Sequence, residues 1–301
     1  MSQLPLFDPV LPTKPVNVAS IPQRSPFRYP GGKTWLVPFI RKWLSQYDPE
    51  LIEFLEPFAG GAIIGLTVAF EKLARYVTLV ELDSDVIAVW QTIFSDDARW
   101  LANKILEFNL TDKTVENELS IPPDSIKERA FQTILKNRVN HGGILAPGAG
   151  RLKYGENGKG MLSRWYPQTL YHRILEIENI RDRISCVHGD GFECIKTYSK
   201  SKNNIFFIDP PYTAGKKNAG SRLYTHFQIN HEILFSLASQ IQGDFLMTYD
   251  NAPEVIDLAR KYGFDTQLVL MNNTHHAEMA ELLIGRDLEW ARAKIPPSTI
   301  K

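Results

Sequence analysis

The sequence predicts an α/β fold, a Rossmann-like sheet interrupted by an inserted lobe, mainly of helix and loop. Three observations lead there. Short apolar runs alternate with amphipathic helical stretches from residue 51 onward, the pattern of βαβ units. A strand–glycine–helix turn, Glu56-Pro57-Phe58-Ala59-Gly60-Gly61, stands at the start of that alternation. The alternation then stops over residues 96–179 and resumes after them.

In chain order, Pro5, Pro9, Pro12, Pro15, Pro22 and Pro26 predict an extended arm over residues 1–26. Leu51–Leu55 predicts the first strand and Ala62–Leu73 its helix. Tyr76–Val80 predicts the second strand, followed by a helix over Ser84–Phe94. The interrupting segment carries a helical pattern over Asp124–Asn140, then eight glycines and prolines between Gly142 and Gly160, a loop that orders against something else. Further strands are predicted at Ile184–Val187, Asn204–Ile208, Phe245–Thr248, Thr266–Leu270 and Glu281–Ile284, with helices at His231–Gln242 and Pro253–Tyr262. The expected organisation is an arm (1–26), a split catalytic domain (27–95 and 180–290), an insertion (96–179) and a tail (291–301).

Composition narrows the class. The 301 residues suffice for one large core with an inserted lobe. No apolar run approaches the ~20 residues that span a bilayer, and the start lacks a signal pattern, so a cytoplasmic protein without membrane attachment is expected. Cys186 and Cys194 make neither a disulfide framework nor a zinc cluster, and His275-His276 lack a third ligand nearby, so no metal is expected. Net charge is zero, but its distribution is uneven. Lys136, Arg138, Arg151, Lys153, Lys159, Arg164 and Arg173 face the single acid Glu156 in their stretch, a local footprint for a polyanion such as DNA.

The motif richest in chemistry is Asp209-Pro210-Pro211-Tyr212, directly after the strand Asn204–Ile208. A carboxylate and a proline carbonyl on a stiff turn can accept both protons of a planar amino group, while the tyrosine stacks on the attached ring. The glycine turn suits a nucleotide-like ligand, although its spacing is not that of dinucleotide sites. Glu81, 21 residues beyond Gly60, ends the second strand with Asp83, and either acid could take ribose hydroxyls. Asp83, ahead of Ser84, could equally cap the following helix, and Asp190 in His188-Gly189-Asp190-Gly191-Phe192 emerges at the same sheet edge with a capping alternative of its own. Upstream, Phe27-Arg28-Tyr29-Pro30-Gly31-Gly32-Lys33-Thr34 mimics the end of a P-loop but lacks its first glycine and a preceding strand. A glycine turn presenting Tyr29 and Lys33 to a small ligand fits better.

Taken in order, Phe27–Lys33, Glu56–Gly61, Val80–Asp83 and Asp209–Tyr212 resemble the Dam-like, alpha-group family of DNA adenine-N6 methyltransferases, over roughly residues 27–286. The resemblance implies a seven-stranded methyltransferase sheet, S-adenosylmethionine as donor with S-adenosylhomocysteine as product, and adenine flipped out of double-stranded DNA as substrate. By position, Tyr29, Lys33, Pro57, Phe58 and Gly60 match cofactor-contacting residues, as does Asp209. Glu81 matches the ribose acid in preference to Asp83. Asp190 and Phe192 match the contacts to the cofactor's adenine, and Asp209 to Tyr212 the catalytic motif. The first motif departs from many members in having Tyr-Pro for Trp-Ala, and Glu56 opens the glycine motif. Within the insertion, Lys136, Arg138, Arg151, Lys153, Lys159 and Arg164 are the expected DNA-binding set. The chemistry of the lead motif also admits an RNA adenine or a DNA cytosine amine, and a role in restriction-modification fits the family. Oligomeric state is left open, and a monomer is compatible.

Overall fold

The computed structural model describes residues 18–29, 31–211, 225–226, 229–272 and 278–292. Its centre is one sheet of seven strands: β1 (Glu53–Glu56), β2 (Tyr76–Glu81), β3 (Ile184–His188), β4 (Asn204–Ile208), β5 (Asp244–Asp250), β6 (Asp265–Asn272) and β7 (Glu278–Gly285). Their order is β3-β2-β1-β4-β5-β7-β6. The first five are parallel, and β7 runs antiparallel to both β5 and β6. This is the seven-stranded arrangement that the resemblance implies. From β1 the chain moves outward to β2 and β3, then crosses back to start the other half at β4. Strand order therefore reverses between β1 and β4, and the C-terminal ends of these two strands open a crevice.

Strand alternation sends apolar side chains to both faces. Phe54, Val77, Leu79, Phe207, Leu246 and Leu283 join a core that includes α1 (Val37–Leu44), α2 (Ile63–Phe70) and α3 (Ser84–Ile93). Leu55, Val80, Phe206, Ile208, Phe245 and Met247 join a second core on the opposite face, with the helices His231–Ser239 and Pro253–Lys261. The four parallel pairings are thus buried on both sides, as parallel sheets require.

Local departures from expectation have physical causes. The first strand begins at Glu53 because Leu51 sits exposed in the preceding turn, and it runs on to Glu56, whose carboxylate is satisfied inside the protein. Its helix stops at Phe70 instead of Leu73. Lys72 adopts φ +55°, and the Leu73 amide returns to the Val68 carbonyl at 2.9 Å, closing the helix in a Schellman-type turn. The expected arm over residues 1–26 is corrected from residue 18 on. Ile21 and Phe27 are buried, and Arg24 is paired with Glu71 at 3.0 Å, so this strip lies on the body of the protein. The expected tail is likewise corrected at its start, since Ala291 and Arg292 belong to the packed helix Glu289–Arg292.

Residues 98–178 form α4 (Ala98–Glu107), α5 (Asp112–Ser120), α6 (Ile126–Val139) and α7 (Pro167–Glu178). Leu101, Ile105, Phe131, Ile134, Leu170 and Ile174 merge with the α1–α3 core, α6 packing on α3 and α4 on α7. Between α6 and α7 the glycine-rich stretch is held by a bridge between Asn140 and Arg151 and by 3-10 turns at Glu156–Gly158 and Gly160–Arg164. Gly143 (φ +75°) lies against the Arg28 carbonyl, where no side chain could fit.

Candidate active site

The β1–β4 register, Glu53 opposite Asn204 through Leu55 opposite Phe206, brings the segments leaving both strands out side by side. These are Glu56-Pro57-Phe58 and Asp209-Pro210-Pro211. They border a cavity of about 1180 Å³, whose walls include Tyr29, Phe58, Gly60, Glu81, Asp190 and Asp209. That exceeds the ~300–1,000 Å³ usual for one small ligand.

The glycine turn is fixed from three sides. The Gly60 amide donates to Glu81 Oε2 at 2.7 Å, Trp90 Nε1 donates to the Gly60 carbonyl at 2.9 Å, and the Ala59 amide bonds the Val80 carbonyl. Gly60 has φ +46°, and a Cβ there would stand 2.7 Å from the Tyr29 ring, so the aromatic side chain rests directly on the turn. Glu81 Oε1 accepts from the Asp83 amide at 2.8 Å. Asp83 caps α3, accepting from the amides of Asp85 and Val86, and still lines the cavity. Asp190 does the same for α8 (Gly191–Tyr198), accepting from the Phe192 amide at 2.6 Å. The rings of Phe58 and Phe192 meet edge to face, 6.2 Å apart. Tyr29, Pro57, Phe58, Gly60, Glu81, Asp83, Asp190 and Phe192 are thereby brought to one wall.

The other wall centres on Asp209. Its Oδ1 accepts from Thr248 Oγ1 at 2.6 Å and lies 3.1 Å from Lys33 Nζ. Lys33 is only 3% exposed. It also donates to the Gly31 carbonyl at 2.9 Å and lies 3.6 Å from Glu281 Oε2. At that range the last contact is an ion pair without a hydrogen bond, and Glu281 Oε2 accepts none. Burial, opposed by Lys33, pushes the Glu281 carboxyl up to about 7. Burial also pushes Glu81 up to about 7 and holds Glu56 well above the ordinary carboxylate range. Glu56 Oε2 accepts from the Gly65 amide at 2.8 Å, an approach that a side chain on residue 65 would block. Pro210 and Pro211 line the cavity, whereas Tyr212 lies outside the described residues.

Glu281 and Thr248 escaped the sequence reading as site residues. Thr248 sits where β5 passes Asp209, one position beyond the Ile208–Met247 pairing. Glu281 reaches the site because β7 runs against the parallel strands, so its beginning lies at their ends. The available signal was an acid inside the apolar run Ala280–Ile284.

The six basic residues expected to bind DNA separate into three groups. Arg151, Lys153 and Lys159 are exposed on the glycine-rich stretch. Lys136 is turned toward Asp85 of α3, 3.3 Å away. Arg138 is buried, donating to the Pro26 carbonyl, and with Arg164 it lines the cavity. Positions two apart on a helix point to different sides, so Lys136 and Arg138 could not share a surface.

Cys186 and Cys194 are unpaired, with thiols pushed up to about 12 by burial. Among the described residues no group of three or more His, Cys, Asp or Glu is placed to hold a metal, and His275-His276 fall outside them. No described helix is long and apolar enough to cross a membrane.

No curated protein matches the chain. Solved structures overlap it loosely over most of its length. The rRNA methyltransferase aviRa from Streptomyces viridochromogenes is 12% identical, with 86% of each chain covered and a TM-score of 0.40. Precorrin-6y C5,15-methyltransferase from Geobacter metallireducens is 6% identical, with 83% of this chain and 85% of its own covered and a TM-score of 0.33. Overlap this distant bears on neither substrate nor mechanism. A family model described as D12 class N6 adenine-specific DNA methyltransferase matches residues 29–267, from the Tyr29 turn through the Asp209 segment into β6. The chain belongs to the D12 class of N6 adenine-specific DNA methyltransferases.

Proposed function

We propose that the protein transfers a methyl group from S-adenosylmethionine to the exocyclic N6 of an adenine extruded from double-stranded DNA. The observation that carries this reading is that the Asp209-Pro210 turn and the Gly60–Glu81 turn face one cavity at the β1/β4 crevice. Residues 27–95 and 180–290 act as the catalytic domain and residues 96–179 as the target-recognition lobe, with exposed Arg151, Lys153 and Lys159 taking backbone phosphates.

The donor set fits the cofactor. Glu81 and Asp83 offer carboxylates to a vicinal diol, Asp190 and Phe192 an acceptor and an apolar face for an adenine ring, and Tyr29 and Phe58 π-faces suited to a sulfonium. The missing Cβ at Gly60 lets the ring of Tyr29 rest on the turn, which holds that aromatic side chain at the cavity. Pro57 completes that wall, and Lys33 stands beside Asp209 on the other. When bound, the sulfonium supplies an electrophilic methyl group.

The chain's own work is to make a poor nucleophile attack. The N6 lone pair is conjugated into the purine. Asp209 and the Pro210 carbonyl accept hydrogen bonds from its two protons, which favours a pyramidal nitrogen and stabilises the positive charge it acquires. Thr248 and Lys33 hold the Asp209 carboxylate in place. Tyr212 stacks on the extruded base, whose unstacking costs a few kcal/mol. The nitrogen would take the methyl group as its carbon–sulfur bond breaks, leaving a neutral thioether, and the proton the nitrogen sheds would pass to solvent, so no covalent enzyme intermediate is needed. Placement therefore supplies most of the acceleration.

Asp209→Ala should lower turnover by at least ~10² to 10³, the usual loss for one preorganised contact to developing charge. Cofactor affinity in equilibrium dialysis should largely survive. Digestion of treated DNA and RNA to nucleosides identifies the product. N6-methyladenine from DNA alone supports the reading, whereas methylated cytosine or a product from RNA reassigns the amine. A variant methylating at the parental rate removes Asp209 from the chemistry.

A further inference from the structure

Four guanidinium groups face the lobe end of the cavity: Arg28, Arg138 on α6, Arg164 and Arg173 on α7. The acids near enough to act on them are Glu156, ion-paired with Arg164, and Glu176 beside Arg173. Among the described residues no carboxylate forms an ion pair with Arg28, Arg138 or Arg173. Arg138 is the extreme case. It is 4% exposed, and among the described residues its Nε has no hydrogen-bond partner. Burial, with the charges of Arg173 and Arg28, presses its pKa down to about 9. Burying a cation without its anion is strongly unfavourable, so the cluster calls for an anionic ligand.

The groups are also pre-positioned. Arg138 donates to the Pro26 carbonyl and Arg173 Nη1 to the Ser25 carbonyl at 3.1 Å. The Arg28 amide donates to Asn137 Oδ1 at 2.8 Å, and Asn137 Nδ2 donates to the Arg28 carbonyl at 3.0 Å. A guanidinium carries five N–H donors, and these bonds use one on Arg138 and one on Arg173. Forked donors of this kind match the two unesterified oxygens of a phosphodiester.

We propose that Arg28, Arg138, Arg164 and Arg173 form a preorganised site for one backbone phosphodiester of the strand that bears the target adenine. The inference rests on the DNA-methyltransferase reading and deepens it. Exposed lysines on the glycine-rich stretch can meet only phosphates outside the protein. This cluster shares a cavity with Asp209, so its phosphate belongs to the extruded nucleotide or an immediate neighbour. A carboxylate on the donor could also pair with guanidinium. The cluster is supplied by the lobe and the 25–28 strip instead of the Gly60–Glu81 turn, which places it on the nucleic-acid side of the cavity.

The test uses duplexes carrying one uncharged methylphosphonate linkage at a time, with binding read by fluorescence anisotropy. One linkage beside the target adenine should weaken parental binding roughly tenfold, the scale of a charge-assisted contact. Arg28→Gln should bind the unmodified duplex about tenfold more weakly and lose part of the parental sensitivity to that same linkage, the other three arginines keeping the rest. Arg28 is tied to Asn137 through its backbone alone, so this variant should fold, which thermal unfolding checks. Glu156→Gln, removing the competing anion, should tighten DNA binding. The proposal is overturned if Arg28→Gln keeps the parental profile at every linkage. It is equally overturned if the variant loses cofactor affinity while DNA binding stays unchanged, which would give the site to the donor's carboxylate. Methylation of the unmodified duplex by the parent protein, run in parallel, reports separately on the enzymatic reading.

Discussion

Three buried carboxyl groups, Glu56, Glu81 and Glu281, crowd the strand ends around Asp209, and each is held above its ordinary range mainly by burial. For Glu81 and Glu281 the rise is from 4.5 to about 7. The folded chain keeps protons there that the unfolded chain has already lost. Their stabilising contribution is therefore complete below about pH 4.5 and fades as pH climbs to about 7. Glu71 and Asp265, lowered by their arginine partners, act oppositely and lose their contribution as pH falls. Urea unfolding should show stability declining between about pH 5 and 7, and Glu281→Gln should remove part of that decline, on the order of a few kcal/mol. A variant with the parental slope would mean that Glu281 is ionised throughout. Glu281 also shows what sequence conceals at this scale. Asp209 announces itself because two prolines follow a buried strand. An acid within an apolar run acquires meaning only when an antiparallel pairing carries it to the site.

Among the elements, α3 joins the Gly60–Glu81 wall of the cavity to the lobe. Asp83 caps its start, Trp90 from its interior holds the Gly60 carbonyl, and α6 packs along it. Capping and ligand contact can be separated by experiment. Asp83→Ala should cost about 1 kcal/mol of stability in chemical denaturation. Glu81→Ala should weaken cofactor binding more than Asp83→Ala does, since Glu81 also shapes the glycine turn through the Gly60 amide. Equal losses of affinity would make Asp83 a ligand contact as well as a cap. Strands and helices of the sheet layers were largely legible, because strands buried on both faces read as short continuous apolar runs bounded by turn residues, while their helices keep a 3.6-residue period. The ends were less so. The stop at Phe70 depends on a left-handed lysine, and the packing of residues 18–27 depends on Glu71, distant in sequence. The helices α4, α5 and α7 of the inserted segment carry apolar faces that sequence alone did not match to partners.

At the scale of the whole molecule, zero net charge hides a segregated distribution. Lys153 and Lys159 are exposed, and neither forms an ion pair among the described residues. Replacing either by glutamine should reduce the salt slope of DNA binding by about one. Lys136→Gln should change that slope less, because Asp85, shared with Arg129, already offsets part of the ammonium's charge. Titrations of affinity against salt distinguish the two outcomes, and an unaffected slope in both exposed variants would move the DNA surface elsewhere. The inserted segment was visible as a break in the alternation, but its attachment was not, since nothing local says that Leu101, Phe131 and Ile174 share a core with Trp90. That continuity constrains any attempt to exchange specificities between enzymes. A transplanted inserted segment would import one half of an apolar seam whose other half stays in the recipient. Chimeras cut at residues 96 and 179 should aggregate unless the α3 face is redesigned together with the graft.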